Sequence, residues 1–124
     1  MGLVTSLFSS NEKLFIKETA DSDCVVIFSK TDCGYCKWVK RIFKDLQVPY
    51  TSIELNKLQN GDQVMKVLGK MTGEYTVPRI FINSQCVGGS TEVNDLRQKG
   101  TLLETISKCK QRQKINSQPV MAAT

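Results

Sequence analysis

Apolar and polar positions along the chain change period several times, and each change marks an element. Ser9-Ser10-Asn11-Glu12 reads as a helix start, with Ser9 and Glu12 spaced as a capping box, and the helix it opens runs to about Thr19 or Ala20. The polar break Asp21-Ser22-Asp23 follows. Cys24 to Ser29 encloses Val25-Val26-Ile27-Phe28, apolar on both faces, the pattern of a strand covered from both sides. From Cys33 to Leu46 the period lengthens: Val39, Ile42, Phe43 and Leu46 recur at i, i+3, i+4 and i+7, which predicts a helix ended by Val48-Pro49. Tyr50 to Leu55 partly alternates and predicts a second strand. Gly61 to Met71 carries Val64, Val67, Leu68 and Met71 at helical spacing and closes at Gly73. Beyond Thr76-Val77-Pro78, two short strands (Arg79-Ile80-Phe81-Ile82 and Gln85-Cys86-Val87) are joined by Asn83-Ser84, a two-residue hairpin link. Gly88-Gly89 ends the hairpin and Ser90-Thr91-Glu92 opens a helix through about Lys99. Gly100 separates it from a last helix, Thr101 to about Arg112, with Leu102, Ile106 and Cys109 on one face.

The order is therefore α-β-α-β-α-β-β-α-α. Strand, helix, strand implies a right-handed crossover and a parallel pair, to which the hairpin adds antiparallel strands. The expected fold is an α/β/α three-layer sandwich with a four-stranded mixed sheet and about five helices. Its 124 residues suffice for one domain. Residues 12–113 form that domain, 1–11 a flexible N-terminus and 114–124 a frayed tail.

Composition narrows the chemistry. With no histidine, Ser-His and Cys-His nucleophile pairs and histidine metal ligands are excluded. The net charge of +5 owes much to Lys108, Lys110, Arg112 and Lys114. Cations suit a helix C-terminus, and no aromatic residues are interleaved there to stack bases, so no nucleic-acid partner is expected. The cysteines are Cys24, Cys33, Cys36, Cys86 and Cys109, an odd number at irregular spacing with no secretory signal before them. That is not the disulfide framework of a small secreted protein. No run reaches the ~18 apolar residues of a membrane span. The N-terminus carries acids and no arginine, which argues against a transit peptide. A cytoplasmic setting is expected first, and a processed mitochondrial form second. Met1-Gly2 with Ser6 meets the minimal N-myristoylation pattern, the one route to a membrane; Leu7-Phe8 otherwise reads as a loose apolar lead-in.

The chemistry centres on Lys30-Thr31-Asp32-Cys33-Gly34-Tyr35-Cys36-Lys37. Two thiols at i, i+3 in the first turn of a helix suit a disulfide, which needs Cα atoms ~4.4–6.8 Å apart. Unpaired amides and the helix dipole favour an anion at the first of them. Such surroundings lower a thiol pKa from ~8.5 into the ~3.5–7.5 range. Lys30 and Lys37 add positive charge on either side. A strand feeding a Cys-x-x-Cys helix in a βαβ unit is the redox arrangement of the thioredoxin fold.

Three blocks in order make the reading specific: Lys30-Thr31-x-Cys33-x-Tyr35-Cys36, Thr76-Val77-Pro78, and Gly88-Gly89 with Thr91 and an acid at Glu92. Together they resemble the dithiol glutaredoxins from about Glu12 to Cys109. Cys24-Val25-Val26-Ile27-Phe28-Ser29-Lys30-Thr31, Lys70-Met71-Thr72-Gly73-Glu74 and Thr76-Val77-Pro78-Arg79-Ile80-Phe81 are most similar to the animal mitochondrial-type branch. The Trp-Cys-Gly-Pro-Cys of a thioredoxin, fed by a reductase, is absent. The resemblance implies a glutathione-dependent thiol–disulfide oxidoreductase with Cys33 as nucleophile and Cys36 as resolving thiol. Its substrates are glutathionylated proteins and protein disulfides, with glutathione reductase a partner only through glutathione. It also implies a cis Pro78, with Val77 offering N–H and C=O to the cysteine part of glutathione. Tyr35 and Thr76 belong to the same implied site. Lys30 and Gln63 stand at the family's positions for the glycine-end carboxylate, and the Gly89–Thr91–Glu92 helix start at those for another, Glu92 facing the ammonium. By itself Gly88-Gly89 is equally a plain hairpin-to-helix turn.

Two positions depart from the commonest pattern: Gly34 stands where many members have proline, and Glu92 replaces aspartate. Members with a small residue at the Gly34 position include ones that hold a [2Fe–2S] cluster between two protomers, using the first cysteine of each and two glutathiones. The alternative function is then an iron–sulfur carrier or redox sensor, a homodimer bridged through Cys33, where the enzyme is a monomer. In the mitochondrial-type branch, cysteines at the positions of Cys24 and Cys109 form a structural disulfide; otherwise both read as buried free thiols. Cys86 reads as packing. Structural zinc is disfavoured, since it needs four ligands and one Cys-x-x-Cys exists.

Overall fold

The structure is a computed structural model that describes the backbone of residues 2–109 and the side chains of residues 11–109. Four strands order as β2-β1-β3-β4: β1 (Val25–Ser29), β2 (Thr51–Glu54), β3 (Arg79–Ile82) and β4 (Gln85–Gly88). β1 pairs parallel with β2 and antiparallel with β3, and β3 pairs antiparallel with β4. The crossover between the parallel strands is α2 (Gly34–Asp45), as the βαβ pattern requires. The other helices are α1 (Gly2–Asp21), α3 (Gly61–Thr72), α4 (Ser90–Gln98) and α5 (102–109). A 3₁₀ turn, Leu55–Lys57, follows β2 where the alternating pattern suggested more strand.

Alternate residues of the central strands divide the core. Val25, Ile27, Ile80 and Ile82 pack with Val39, Ile42 and Phe43 of α2 and with Val93, Leu102 and Ile106. Val26, Phe28 and Phe81 face the other way, onto Ile16 and Ala20 of α1 and Val64 and Leu68 of α3. β1 is therefore fully buried along its length. That explains its unbroken apolar run.

A second predicted boundary is wrong. α1 begins at Gly2, so Ser9 lies inside the helix rather than capping it. Leu3, Leu7 and Leu14 keep helical spacing across Ser9-Ser10-Asn11. Three weak helix formers cost only a few tenths of a kcal/mol each, too little to stop a helix that is apolar on both sides of them. The end of the last helix beyond residue 109, the basic positions Lys110, Arg112 and Lys114, and the tail 114–124 lie outside the described residues. So do the side chains of Ser6 and Ser9.

Turns follow their chemistry. Asn83 and Ser84 both have positive φ, 54° and 68°, the pairing a tight two-residue hairpin needs. α2 stops in a Schellman motif: Gln47 N–H donates to Lys44 O at 3.0 Å and Val48 N–H to Phe43 O at 2.9 Å. Val48 is buried in the same cluster as Phe43, which is the apolar contact that accompanies this stop.

Candidate active site

The site is built at the C-terminal end of β1. Cys33 is the N-cap of α2, with extended backbone, and its Sγ accepts the Cys36 N–H at 3.1 Å. Its own N–H donates to Lys30 O at 3.2 Å. Cα atoms of Cys33 and Cys36 are 5.2 Å apart and the two sulfurs are at bonding distance. The pair is asymmetric: Cys33 is half-buried and flanked by exposed Gly34 and Tyr35, whereas Cys36 is 0% exposed.

The loop that delivers Cys33 is tied to the end of β2. Asn56 accepts the Thr31 N–H at 3.1 Å and donates to the Thr31 hydroxyl at 2.6 Å. Glu54 accepts from the Ser29 hydroxyl at 3.0 Å and from Lys40 Nζ at 2.9 Å, and Ser52 donates to it as well. Burial pushes the Glu54 carboxyl up, but these three donors, helped by the Lys40 charge, outweigh it and hold the pKa below the ordinary value of 4.5.

Beside Cys33 lies a cleft of about 380 Å³. Val77 O is 3.8 Å from Cys33 Sγ, and the Val77–Pro78 bond is cis, as the resemblance implies. The cleft wall unites Tyr35, Thr76, Val77, Pro78, Gly89, Thr91 and Glu92, separated by as many as 57 positions in the chain. Lys30 and Gln63 do not line it: Lys30 is half-buried before the thiol loop and Gln63 is exposed on α3. Glu74, Arg79 and Ser90 also line it, and the motif reading missed all three. The only signal for Arg79 was a charge opening an otherwise apolar strand.

The glycine doublet has a specific cause. Glu92 folds back so that Oε1 accepts the Gly89 N–H at 2.7 Å, which turns part of its carboxylate away from the ligand role expected of it. A Cβ on Gly88, at φ 121°, would come within 2.6 Å of the Glu92 side chain. One on Gly89 would come within 2.5 Å of Arg79 Nη2. Both contacts are closer than real Cβ atoms tolerate, so a side chain at either position would displace Glu92 or Arg79 from where they stand. Gly89 has no side chain with which to cap α4, and among the described residues no side chain accepts from the helix's next amides.

Elsewhere, Cys24 and Cys109 are buried with Cα atoms 5.6 Å apart and sulfurs at bonding distance. Cys86 is a free thiol that burial pushes to a higher pKa. Among the described residues no three His, Cys, Asp or Glu side chains gather as a metal site, and no helix is long and apolar enough to cross a membrane.

The family model for glutaredoxin matches residues 25–87. The chain belongs to the glutaredoxin family. It is 48% identical over 94 residues to mitochondrial glutaredoxin-2 of Mus musculus, an alignment covering 76% of this chain and 60% of that one. The Homo sapiens protein of the same name is also 48% identical, with 76% and 57% covered. The chain thus spans somewhat under two thirds of these animal relatives. Glutaredoxin-2 of Schizosaccharomyces pombe, 35% identical, is covered over 94% of its length and 83% of this chain. Among solved structures, a buckwheat glutaredoxin–glutathione complex superposes with a TM-score of 0.81 at 33% identity, covering 83% of this chain and 94% of that one. The holo form of glutaredoxin C1 from Populus tremula x tremuloides gives 0.80 at 35%, covering 82% and 92%. The glutaredoxin neighbours confirm the thioredoxin fold and the four-stranded mixed sheet.

Proposed function

We propose that this glutaredoxin reduces protein–glutathione mixed disulfides, and protein disulfides, with Cys33 as the attacking thiol. The observation that carries the reading is the asymmetry of the pair: Cys33 caps α2 at an accessible edge and receives an amide N–H, while Cys36 is sealed beneath it. Amide donation and the helix dipole favour the thiolate at Cys33. The buckwheat complex with glutathione and the cleft beside Cys33 support the tripeptide as ligand.

Exchange then proceeds in two balanced steps. Cys33 thiolate attacks the glutathione sulfur, forms the Cys33–glutathione disulfide and releases the protein thiolate. A second glutathione thiolate attacks that glutathione sulfur, giving oxidised glutathione and restoring the Cys33 thiolate. Glutathione reductase enters only by recycling the oxidised product. Cys36 is required when the substrate is a protein disulfide: its thiolate attacks Cys33 Sγ, forming the Cys33–Cys36 disulfide and releasing the protein thiolate, and two glutathiones then reduce that disulfide and leave as oxidised glutathione. Turnover of a small glutathionylated substrate tests the division: Cys33→Ser should abolish it and Cys36→Ser retain a large part. Equal loss in both variants would refute it.

A cluster-bridged homodimer is the second reading, favoured by the open surface at Gly34, where a Cβ would meet nothing within 4 Å. Cys33 fits as the single thiolate each copy offers, and buried Cys36 does not. The [2Fe–2S] group would supply electron storage or cluster delivery, the remaining two thiolates coming from glutathione. Iron content and oligomeric state after anaerobic reconstitution with glutathione test it; no iron retained removes it. The proximity of Cys24 and Cys109 supports a structural disulfide. The naming of the mouse and human relatives supports a mitochondrial site of action beside the cytoplasmic one.

A further inference from the structure

One exposed face beside the reactive sulfur has no part in the glutathione chemistry. A lone apolar side chain on a surface needs no explanation, but two that line a single hollow do. Tyr35 and Trp38 stand at i and i+3 on α2, 68% and 38% exposed. With Gly34 they line an apolar hollow of about 440 Å³. Gly34 adds no side chain to fill it, and a Cβ there would meet nothing within 4 Å. Trp38 is the one tryptophan of the chain, and it lies off the buried face of α2 formed by Cys36, Val39, Ile42 and Phe43.

Position and charge decide the occupant. Tyr35 also lines the glutathione cleft, so the hollow and the cleft are continuous through one ring. Gly34 and Tyr35 directly follow Cys33. A polypeptide that exchanges its sulfur there has its neighbouring residues only ~3.8 Å further along its chain, which brings their side chains to this rim. The helix is basic: Lys37, Lys40, Arg41 and Lys44 stand against Asp45 alone. Lys37 and Lys44 are exposed and, among the described residues, form no ion pair. Arg41, one turn beyond Trp38, meets Asp45 at 3.3 Å in an exposed pair, which is weak and easily shared with a second carboxylate. A second copy laying its own α2 on this one would oppose like charges, whereas an acidic polypeptide is complementary. Tyrosine, tryptophan and arginine are also the side chains that carry most of the energy of protein interfaces.

We propose that the Tyr35–Trp38 hollow docks the protein half of the substrate, taking an apolar side chain next to the reactive cysteine of an acidic segment, with Arg41 meeting the segment's carboxylates. The proposal rests on Cys33 exchanging disulfides with proteins. It adds a preference among those proteins that the tripeptide, common to every mixed disulfide, does not supply.

The test gives the full chain four mixed disulfides of glutathione. One is with 2-mercaptoethanol; the others are with pentapeptides whose central cysteine is flanked on both sides by leucine then glutamate, leucine then lysine, or serine then glutamate. The wild type should prefer the leucine–glutamate peptide. Trp38→Ala is expected to lower kcat/KM about 5- to 20-fold with the two leucine peptides and to leave the serine peptide and the 2-mercaptoethanol substrate unchanged. Arg41→Gln should lower it about 2- to 5-fold with the two glutamate peptides and spare the lysine one. Equal losses with all four substrates, or no loss with the leucine peptides, would overturn the proposal. So would a Trp38→Ala effect confined to oligomeric state, which would assign the hollow to a second copy. Should Trp38→Ala fail to fold, Arg41→Gln and the wild-type order of the peptides decide. A wild type that turns over all four substrates alike refutes only the docking site, whereas no turnover of the 2-mercaptoethanol substrate refutes the reading beneath it.

Discussion

Ser29 is fully buried at the end of a strand otherwise built of Val, Ile and Phe, and its hydroxyl reaches Glu54 across the parallel pair. Together with Lys40 and Ser52 it keeps that carboxyl more acidic in the folded chain than in the unfolded one. A depressed pKa stabilises above the unfolded value, near 4.5, and the contribution is lost as pH falls through the lower folded value. Glu54→Gln should therefore cost about 1 kcal/mol at pH 7, a modest figure because the carboxyl keeps some contact with water. The difference from wild type should shrink toward pH 3, which urea denaturation at the two pH values would show. The thiol pair at Cys33 was legible because its chemistry is local, a cap and a dipole within one turn. Glu54 and Arg79 were not, because their charged partners, Lys40 and Glu74, arrive from other elements.

At the scale of elements, Gln47 is the clearest compromise. It adopts φ 58° to close α2, a left-handed position where a side chain is strained and glycine is not. Gln47 is exposed, so its replacement forfeits no buried contact. Gln47→Gly is expected to stabilise by about 0.5–1 kcal/mol, read as a higher urea midpoint. Helix and strand identities followed from periodicity because each amphipathic face must meet the sheet. Two boundaries did not. The start of α1 misled because a capping-box spacing occurs inside a helix as readily as before one. The 3₁₀ turn after β2 escaped because Leu55 is buried whether it ends a strand or begins a turn.

For the whole molecule, Cys24, just before β1, and Cys109 of α5 lie with Cα atoms 5.6 Å apart across a separation of 85 residues. A loop of that length loses much chain entropy when closed, and removing such a link typically costs about 2–5 kcal/mol. The Cys24→Ser/Cys109→Ser double variant should melt lower than wild type in the absence of reductant. Reductant should lower the wild-type midpoint and leave the variant's unmoved; an effect on both alike would mean that the link is not formed. Both cysteines lie in the core cluster on the α2, α4 and α5 side of the sheet, away from the cleft residues, so deglutathionylation by the folded variant is expected near the wild-type rate.

Sequence alone determined the order of elements, the strand-to-helix junction that presents Cys33, the family, and most of the residues that line the cleft. Periodicity and short motifs carry that information because each is an interaction between near neighbours in the chain. Tertiary structure decided which charges face one another. Glu92 turned back onto Gly89, Arg79 went under α4 toward Glu74, and Glu54 settled between Ser29 and Lys40. Those outcomes depend on strand register and on the room that Gly88 and Gly89 leave for the Glu92 and Arg79 side chains, and no window of residues contains them.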